Sequence, residues 1–202
     1  MSETPQDARL LEMQGITKFF PGVKALDDVH IDLHQGEVLA IIGENGAGKS
    51  TLMNILGGIY QPDTGQILLD GQAVMIDSVH TATNLGIAFV HQELNLSDNL
   101  DVAANVFLGR EPRKSSLLKL IDRKTLEEDT QQILDRIGLD CPPRTLVRDL
   151  TIGTQQMIEI AKALSINARI LIMDEPTSSL SQSETDHLFR VIKELRAQGV
   201  SV

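Results

Sequence analysis

The 202-residue chain is poor in aromatic residues: Phe and Tyr together make up 3% of it and tryptophan is missing. Its core must therefore be aliphatic. Cys141 is the only cysteine, so no internal disulfide can form. It stands beside Pro142 and Pro143 with no second thiol and no metal-ligand spacing, which fits a reducing compartment. Basic residues are outnumbered, 18 Lys and Arg against 28 Asp and Glu, for a net charge of −10. That balance argues against a nucleic-acid groove or an anionic membrane surface as the main partner. No stretch approaches the roughly 18 apolar residues of a membrane span, and the N-terminus, Met-Ser-Glu-Thr-Pro-Gln-Asp, has no apolar signal region. Any membrane connection runs through a partner. His30, His34, His80, His91 and His187 show no H-x-x-x-H or Cys/His spacing and read as structural. What remains is the 42% apolar, 23% charged balance of a globular protein, enough for one good-sized domain or a core with an inserted subdomain.

One segment carries most of the chemical information. Gly43-Glu44-Asn45-Gly46-Ala47-Gly48-Lys49-Ser50-Thr51 is a complete G-x-x-x-x-G-K-S phosphate-binding loop. The apolar run Val38 to Ile42 before it reads as a buried strand, and Leu52, Ile55 and Leu56 after it have helical spacing. Glycines in such a loop let successive N–H groups turn towards phosphate, and the positive end of the following helix faces the same anion. Lys49 is placed to reach the β- and γ-phosphates, and the Ser50 hydroxyl to ligate Mg²⁺.

Leu10 to Thr17 and Val29 to Leu33 are expected as strands around a turn at Pro21-Gly22, after a disordered polar N-terminus over residues 1–9. Gln66 to Leu69 and Val74 to Ile76 read as a hairpin joined at Asp70-Gly71, and Gly86 to Val90 as a further buried strand. Helical periodicity then takes over. Asp122 to Ile137 puts Leu126, Ile133, Leu134 and Ile137 on one face and stops at Gly138, and Thr154 to Ser165 repeats the pattern. Arg110 to Lys119 reads as an exposed loop with solvated basic residues. Ile170 to Met173 fits a central parallel strand buried on both faces. The last helix opens on a capping box, Ser181 to Glu184, and ends at Gly199. The expected organisation is a nucleotide-binding core over 10–91 and 166–202, incomplete at its C-terminus where Val200 begins a strand, with a helical subdomain over 92–165.

Asp174 and Glu175 follow the apolar strand, at the edge of a parallel sheet where ligands of such sheets bind. The first acid suits Mg²⁺ and the second a general base for an attacking water. Gln92, just after a strand, can contact Mg²⁺ or that water. Leu150 to Gln156 stands at a helix start, which serves as a plain cap or as a second anion contact.

These segments, in this order, resemble the nucleotide-binding domain of ATP-binding cassette proteins, over nearly the whole chain from Leu10. The resemblance implies an α/β fold of the phosphate-loop NTPase type, with a mixed sheet around a central parallel sheet and an inserted helical subdomain. It implies ATP and Mg²⁺ as cofactors, ATP held by Gly43 to Thr51 with Phe20 stacked on adenine or else packed in the core, and Mg²⁺ held by Ser50, Gln92 and Asp174. Lys49, Gln92 and Glu175 then serve catalysis, and Thr151, Gly153 and Gln155 contact the γ-phosphate of ATP on an opposing cassette. Pro176 to Ser181 resembles the loop coupling the two sites.

Phe20 to Leu26, His91 to Leu96, Asn105 to Arg110 and Gln156 to Lys162 are similar to the first cassette of bacterial monosaccharide importers of the ribose, galactose, xylose and arabinose group. That implies a permease, a second cassette and, indirectly, a periplasmic sugar-binding protein as partners, no nucleic acid, and a peripheral place on the cytoplasmic face of the inner membrane. A cassette protein without a permease and a nucleotide-binding regulatory module are the rival readings. Two departures stand out. The signature reads Leu-Thr-Ile-Gly-Thr-Gln-Gln rather than LSGGQ, and the family's histidine after the Asp-Glu segment and its second cassette are not in the sequence. The chain thus reads as a truncated piece that hydrolyses ATP poorly by itself.

Overall fold

The computed structural model describes residues 9–91, 94–114, 119–178 and 180–202. Two long strands, β1 (Arg9–Phe20) and β2 (Val23–His34), form an antiparallel hairpin turning at Pro21-Gly22. Both are longer than the sequence pattern suggests, because cross-strand pairing carries on through polar positions beyond the apolar runs. β3 (Thr64–Leu69) and β4 (Gln72–Val74) make the Asp70-Gly71 hairpin, and the four strands line up in the order β2-β1-β3-β4.

α1 (Lys49–Leu56) follows the glycine loop. Its Leu52, Ile55 and Leu56 join Leu11, Met13, Ile16, Leu26 and Ile67 in one aliphatic core, as the shortage of aromatics requires. A short helix, α2 (Val79–Asn84), precedes β5 (Ile87–Val90). Its six residues give too few turns for apolar periodicity to reveal it.

β5 neighbours β6 (Ile170–Met173). Arg169 and Ile170 N–H both donate to Gly86 C=O, and Asp174 N–H donates to Val90 C=O, so the two strands run parallel. Ser201 extends the layer by a parallel bridge to Ile170. The strand expected at Val38 to Ile42 is not a regular strand. Its pairing consists of Leu39 N–H to Val202 C=O and Val202 N–H to Glu37 C=O, too little for a ladder, and Ile42 is 92% exposed. An open cleft of about 450 Å³ lies along it, lined by Leu26, Val29, Ile31, Leu39 and Ile41.

The helical part holds α3 (Val102–Val106), α4 (Arg123–Arg136) and α5 (Ile152–Leu164), which pack on one another. Asp122 caps α4 through the Thr125 N–H, and Leu126, Leu134 and Ile137 are buried as expected. Thr130 replaces Ile133 on the innermost face, its hydroxyl donating to Leu126 C=O. α6 (Gln182–Ala197) begins with the expected capping box: Ser181 N–H donates to Glu184 Oε2 at 2.9 Å and Glu184 N–H to Ser181 Oγ at 3.4 Å. Arg110 does not simply face solvent. Its guanidinium donates to Val106 C=O at 3.0 Å and Ser165 Oγ at 2.8 Å.

The chain divides into two compact units. The first comprises the described residues up to Phe89 with Arg169–Ile172 and Leu195–Val202, and the second Val90–Ala168 with Met173–Glu194. Within the first, Arg169 clasps Asp70 with two hydrogen bonds of 2.7 Å each, tying β6 to the β3–β4 turn. Those bonds hold the Asp70 carboxyl below its ordinary value of 3.8. A depressed carboxylate stabilises the fold above its unfolded value and loses that contribution as the pH falls through the folded one. Asp70→Asn keeps a residue suited to the left-handed φ of +51° but removes the charge. It is expected to lower stability at pH 7 slightly, the pair being half exposed, and to flatten the loss of stability below pH 3.8. Urea unfolding at neutral and acid pH measures both.

Candidate functional site

The phosphate loop is built on a left-handed residue. Gly48 precedes α1 with φ +87° and ψ 1°, and a Cβ there would stand 2.5 Å from Ala25 O and 2.8 Å from a Leu26 methyl. A side chain is excluded on both counts. No side chain caps α1, and its first turn carries no acidic residue, so its N–H groups and positive end are left for an anion. The Ala47 N–H donates to Glu44 C=O and closes the loop as a turn. Lys49 Nζ donates to Gly43 O at 2.7 Å and Glu44 O at 2.9 Å, which folds the ammonium over the loop. Ser50, the next residue, is exposed on the first turn of α1. These features fit a polyphosphate: backbone donors, a helix start and a mobile cation converge on one loop.

Phe20 ends β1. Its ring is half buried and meets Tyr60 edge to face, centroids 5.3 Å apart, with Lys18 Nζ 5.7 Å from its centroid. It is not part of the buried core, and Phe19 beside it is 53% exposed.

In the second unit, Asp174 follows β6 and is partly buried, and Glu175 is exposed with φ +43°. A left-handed glutamate costs energy that surrounding structure must offset, and such strain collects at functional sites. No group of three or more His, Cys, Asp or Glu side chains suited to a metal occurs among the described residues. The Ser50 hydroxyl and the Asp174 carboxylate are each oxygen donors of the kind Mg²⁺ takes. Gln92 lies outside the described residues.

Thr151 caps α5, its hydroxyl accepting from Thr154 N–H at 3.2 Å. Gly153 is buried and Thr151 exposed. Gln155 turns inward: Nε2 donates to Val147 O at 3.1 Å and Leu150 O at 3.2 Å, bracing the turn ahead of the helix. The Glu184 carboxylate reaches this helix start. It accepts from Thr151 Oγ1 at 3.4 Å, and a Cβ on Gly153 would strike it. The Ser181 hydroxyl first, then the Ser181, Thr151 and Gly153 groups, hold its carboxyl below the ordinary range. The sequence marks Glu184 only as a capping residue, because its contact with residues some 30 positions upstream is not a local pattern. In the segment after Glu175, Ser178 N–H donates to Glu175 C=O and Leu180 N–H to Thr177 C=O, with Ser179 outside the described residues.

The ABC transporter family model matches residues 26–178, from the phosphate-loop side of β2 past Glu175. The chain belongs to the ABC transporter family. Among proteins of this family it is 55% identical, over 96% of its length, to a putative ribose/galactose/methyl galactoside import ATP-binding protein of Burkholderia ambifaria. It is 52% identical, over the same share, to a ribose import ATP-binding protein of Streptomyces avermitilis. It spans only 38% and 36% of the length of these relatives. The ADP-bound crystal structure of MJ1267, an ATP-binding cassette of an ABC transporter, superposes with a TM-score of 0.84 at 27% identity, covering 96% of this chain and 79% of the other. The fold is thus that of the ABC ATPase cassette, a phosphate-loop α/β architecture.

Gly48→Ala is expected to cost about 2–4 kcal/mol, the sum of backbone strain and the clash with β2. Lys49→Met, which leaves the backbone alone, should change stability by under about 1 kcal/mol. Chemical unfolding of both variants compares them.

Proposed function

We propose that this chain is the ATP-binding part of a bacterial importer that couples ATP binding and hydrolysis to uptake of a monosaccharide such as ribose. The observation that carries the reading is the phosphate loop itself, with Lys49 folded over it and an uncapped, acid-free helix start behind Gly48. The names of the import ATP-binding relatives support the sugar and the permease. No described helix is long and apolar enough to cross a membrane, so in this reading the chain works peripherally, on the cytoplasmic face, under an integral membrane permease fed by a periplasmic sugar-binding protein.

In this mechanism the loop amides from Gly43 to Thr51 and the Lys49 ammonium neutralise the β- and γ-phosphates, and the Phe20 ring lies against the adenine. Bound Mg²⁺ adds positive charge at the phosphate oxygens, and Ser50, Gln92 and Asp174 are the residues that would hold it. Glu175 accepts a proton from the attacking water. Thr151 and Gly153 offer their donors to the γ-phosphate of ATP on a second cassette, so that two cassettes close on nucleotide and open after hydrolysis. Gln155 supports that helix start through its bonds to Val147 and Leu150.

Three measurements test the reading. Binding of a fluorescent ATP analogue to the chain should weaken by roughly 10- to 100-fold in Lys49→Ala, as expected for a lost contact to a charged phosphate. Equal affinity in the two proteins would sink the loop assignment. Glu175→Gln should bind the analogue as the wild type does, while hydrolysis in the transporter assembly falls by roughly 10²- to 10⁴-fold. Co-purification of the tagged chain with ribosomes or nucleic acid rather than a permease would overturn the importer.

A further inference from the structure

α5 is buried along most of its length, and one of its buried residues is a carboxylate. Glu159 is 6% exposed, flanked by Ile158 and Ile160. Burying a carboxylate is costly unless its oxygens are paired, and an apolar residue of the same size would pack there at no such cost. Glu159 directs its charge at Asn95, a residue of an irregular segment. Oε1 accepts from the Asn95 N–H at 2.8 Å, and Lys162, one turn further along α5, donates from Nζ to the Asn95 C=O at 3.2 Å. The two side chains complete their own pair, 3.8 Å apart. Both backbone groups of one exposed residue are thereby held by two side chains of one helix, as a neighbouring strand would hold them.

A second grip lies two residues on. Asn105, fully buried on α3, accepts from Ser97 N–H at 2.7 Å and donates to Ser97 O at 3.1 Å and Asp101 O at 3.1 Å. The irregular stretch over residues 94–101 is therefore strapped to α3 and α5 by polar side chains. Glu159 lies seven positions along from the first residue of α5, about 10 Å of helix. A helix of this length moves as a rigid rod, so a shift of Asn95 is delivered to the turn containing Thr151, Gly153 and Gln155.

We infer that Glu159 and Lys162 form a clamp that carries the response of the segment following Gln92 to the signature turn of α5. Glu159 is a positioning residue, acting through α5, and the inference rests on the nucleotide reading given above. A merely stabilising role and a coupling role make opposite demands on an apolar replacement. Glu159→Met fills the same volume without burying a charge, and the groups it releases, the exposed Asn95 N–H and the partly exposed Lys162 ammonium, can turn to water, so stability stays near the wild-type value while Asn95 is freed. Glu159→Gln retains an acceptor for the Asn95 N–H and should behave between the two.

Hydrogen–deuterium exchange of the whole chain, with and without Mg-ATP, tests the clamp. In the wild type, ATP is expected to protect residues 43–51 and to change exchange in both 94–101 and 151–156. In Glu159→Met the protection of 43–51 and the melting temperature hold, and the change at 94–101 persists. The change at 151–156 falls by roughly 2- to 30-fold, the size of coupling effects at residues that touch neither ligand. Lys162→Met should weaken it in the same direction. A wild-type response at 151–156 in Glu159→Met overturns the clamp, as does a wild type in which ATP protects 43–51 and leaves 151–156 unchanged. Absence of protection at 43–51 in the wild type defeats the nucleotide reading itself, and the clamp with it.

Discussion

The backbone of Gly48 passes so close to Ala25 and Leu26 that no side chain fits between them, and it does so at φ +87°, where glycine alone is at ease. This contact joins the phosphate loop to β2. Leu26 and Leu52, on either side of it, are both buried in the aliphatic core. The loop is consequently held by the packing of the β1–β2 hairpin on α1 and does not need a ligand to be shaped. A preformed anion site costs little reorganisation when the anion arrives, since ordering has been completed on folding. Lys49 closes over that loop, its ammonium donating to the Gly43 and Glu44 carbonyls.

The legible features were local ones. The glycine loop, the Asp70-Gly71 hairpin, the Ser181 capping box and the stop at Gly138 each consist of a few neighbouring residues whose geometry demands their identities, and each stands where the pattern put it. Features set by distant partners were not legible. Val38 to Ile42 has strand composition, yet a strand exists through its neighbours, and among the described residues this one is paired at Leu39 with Val202. α2 and α3 are too short for periodicity to report them. Within the site, residue types could be read from order and spacing. The inward turn of Gln155, the approach of Glu184 to Thr151 and the grip of Glu159 on Asn95 could not, because a polar residue on a helix reads by default as solvent-facing.

The two units are held together internally by different physics. In the first, backbone ladders and an aliphatic core carry the fold, with side-chain clasps such as Arg169 on Asp70 and Lys18 on Asp63 added at the turns. In the second, irregular segments are bound side chain to backbone: Asn105 to Ser97 and Asp101, Glu159 and Lys162 to Asn95, Gln155 to Val147 and Leu150. The two irregular stretches are also bonded to each other, Val102 N–H to Thr145 C=O and Val147 N–H to Leu100 C=O. Apolar packing tolerates sliding, since its energy varies smoothly with contact area, whereas a hydrogen bond is lost over a fraction of an ångström or a few tens of degrees. A segment held by such bonds either keeps its partners and moves with them or exchanges them as a set.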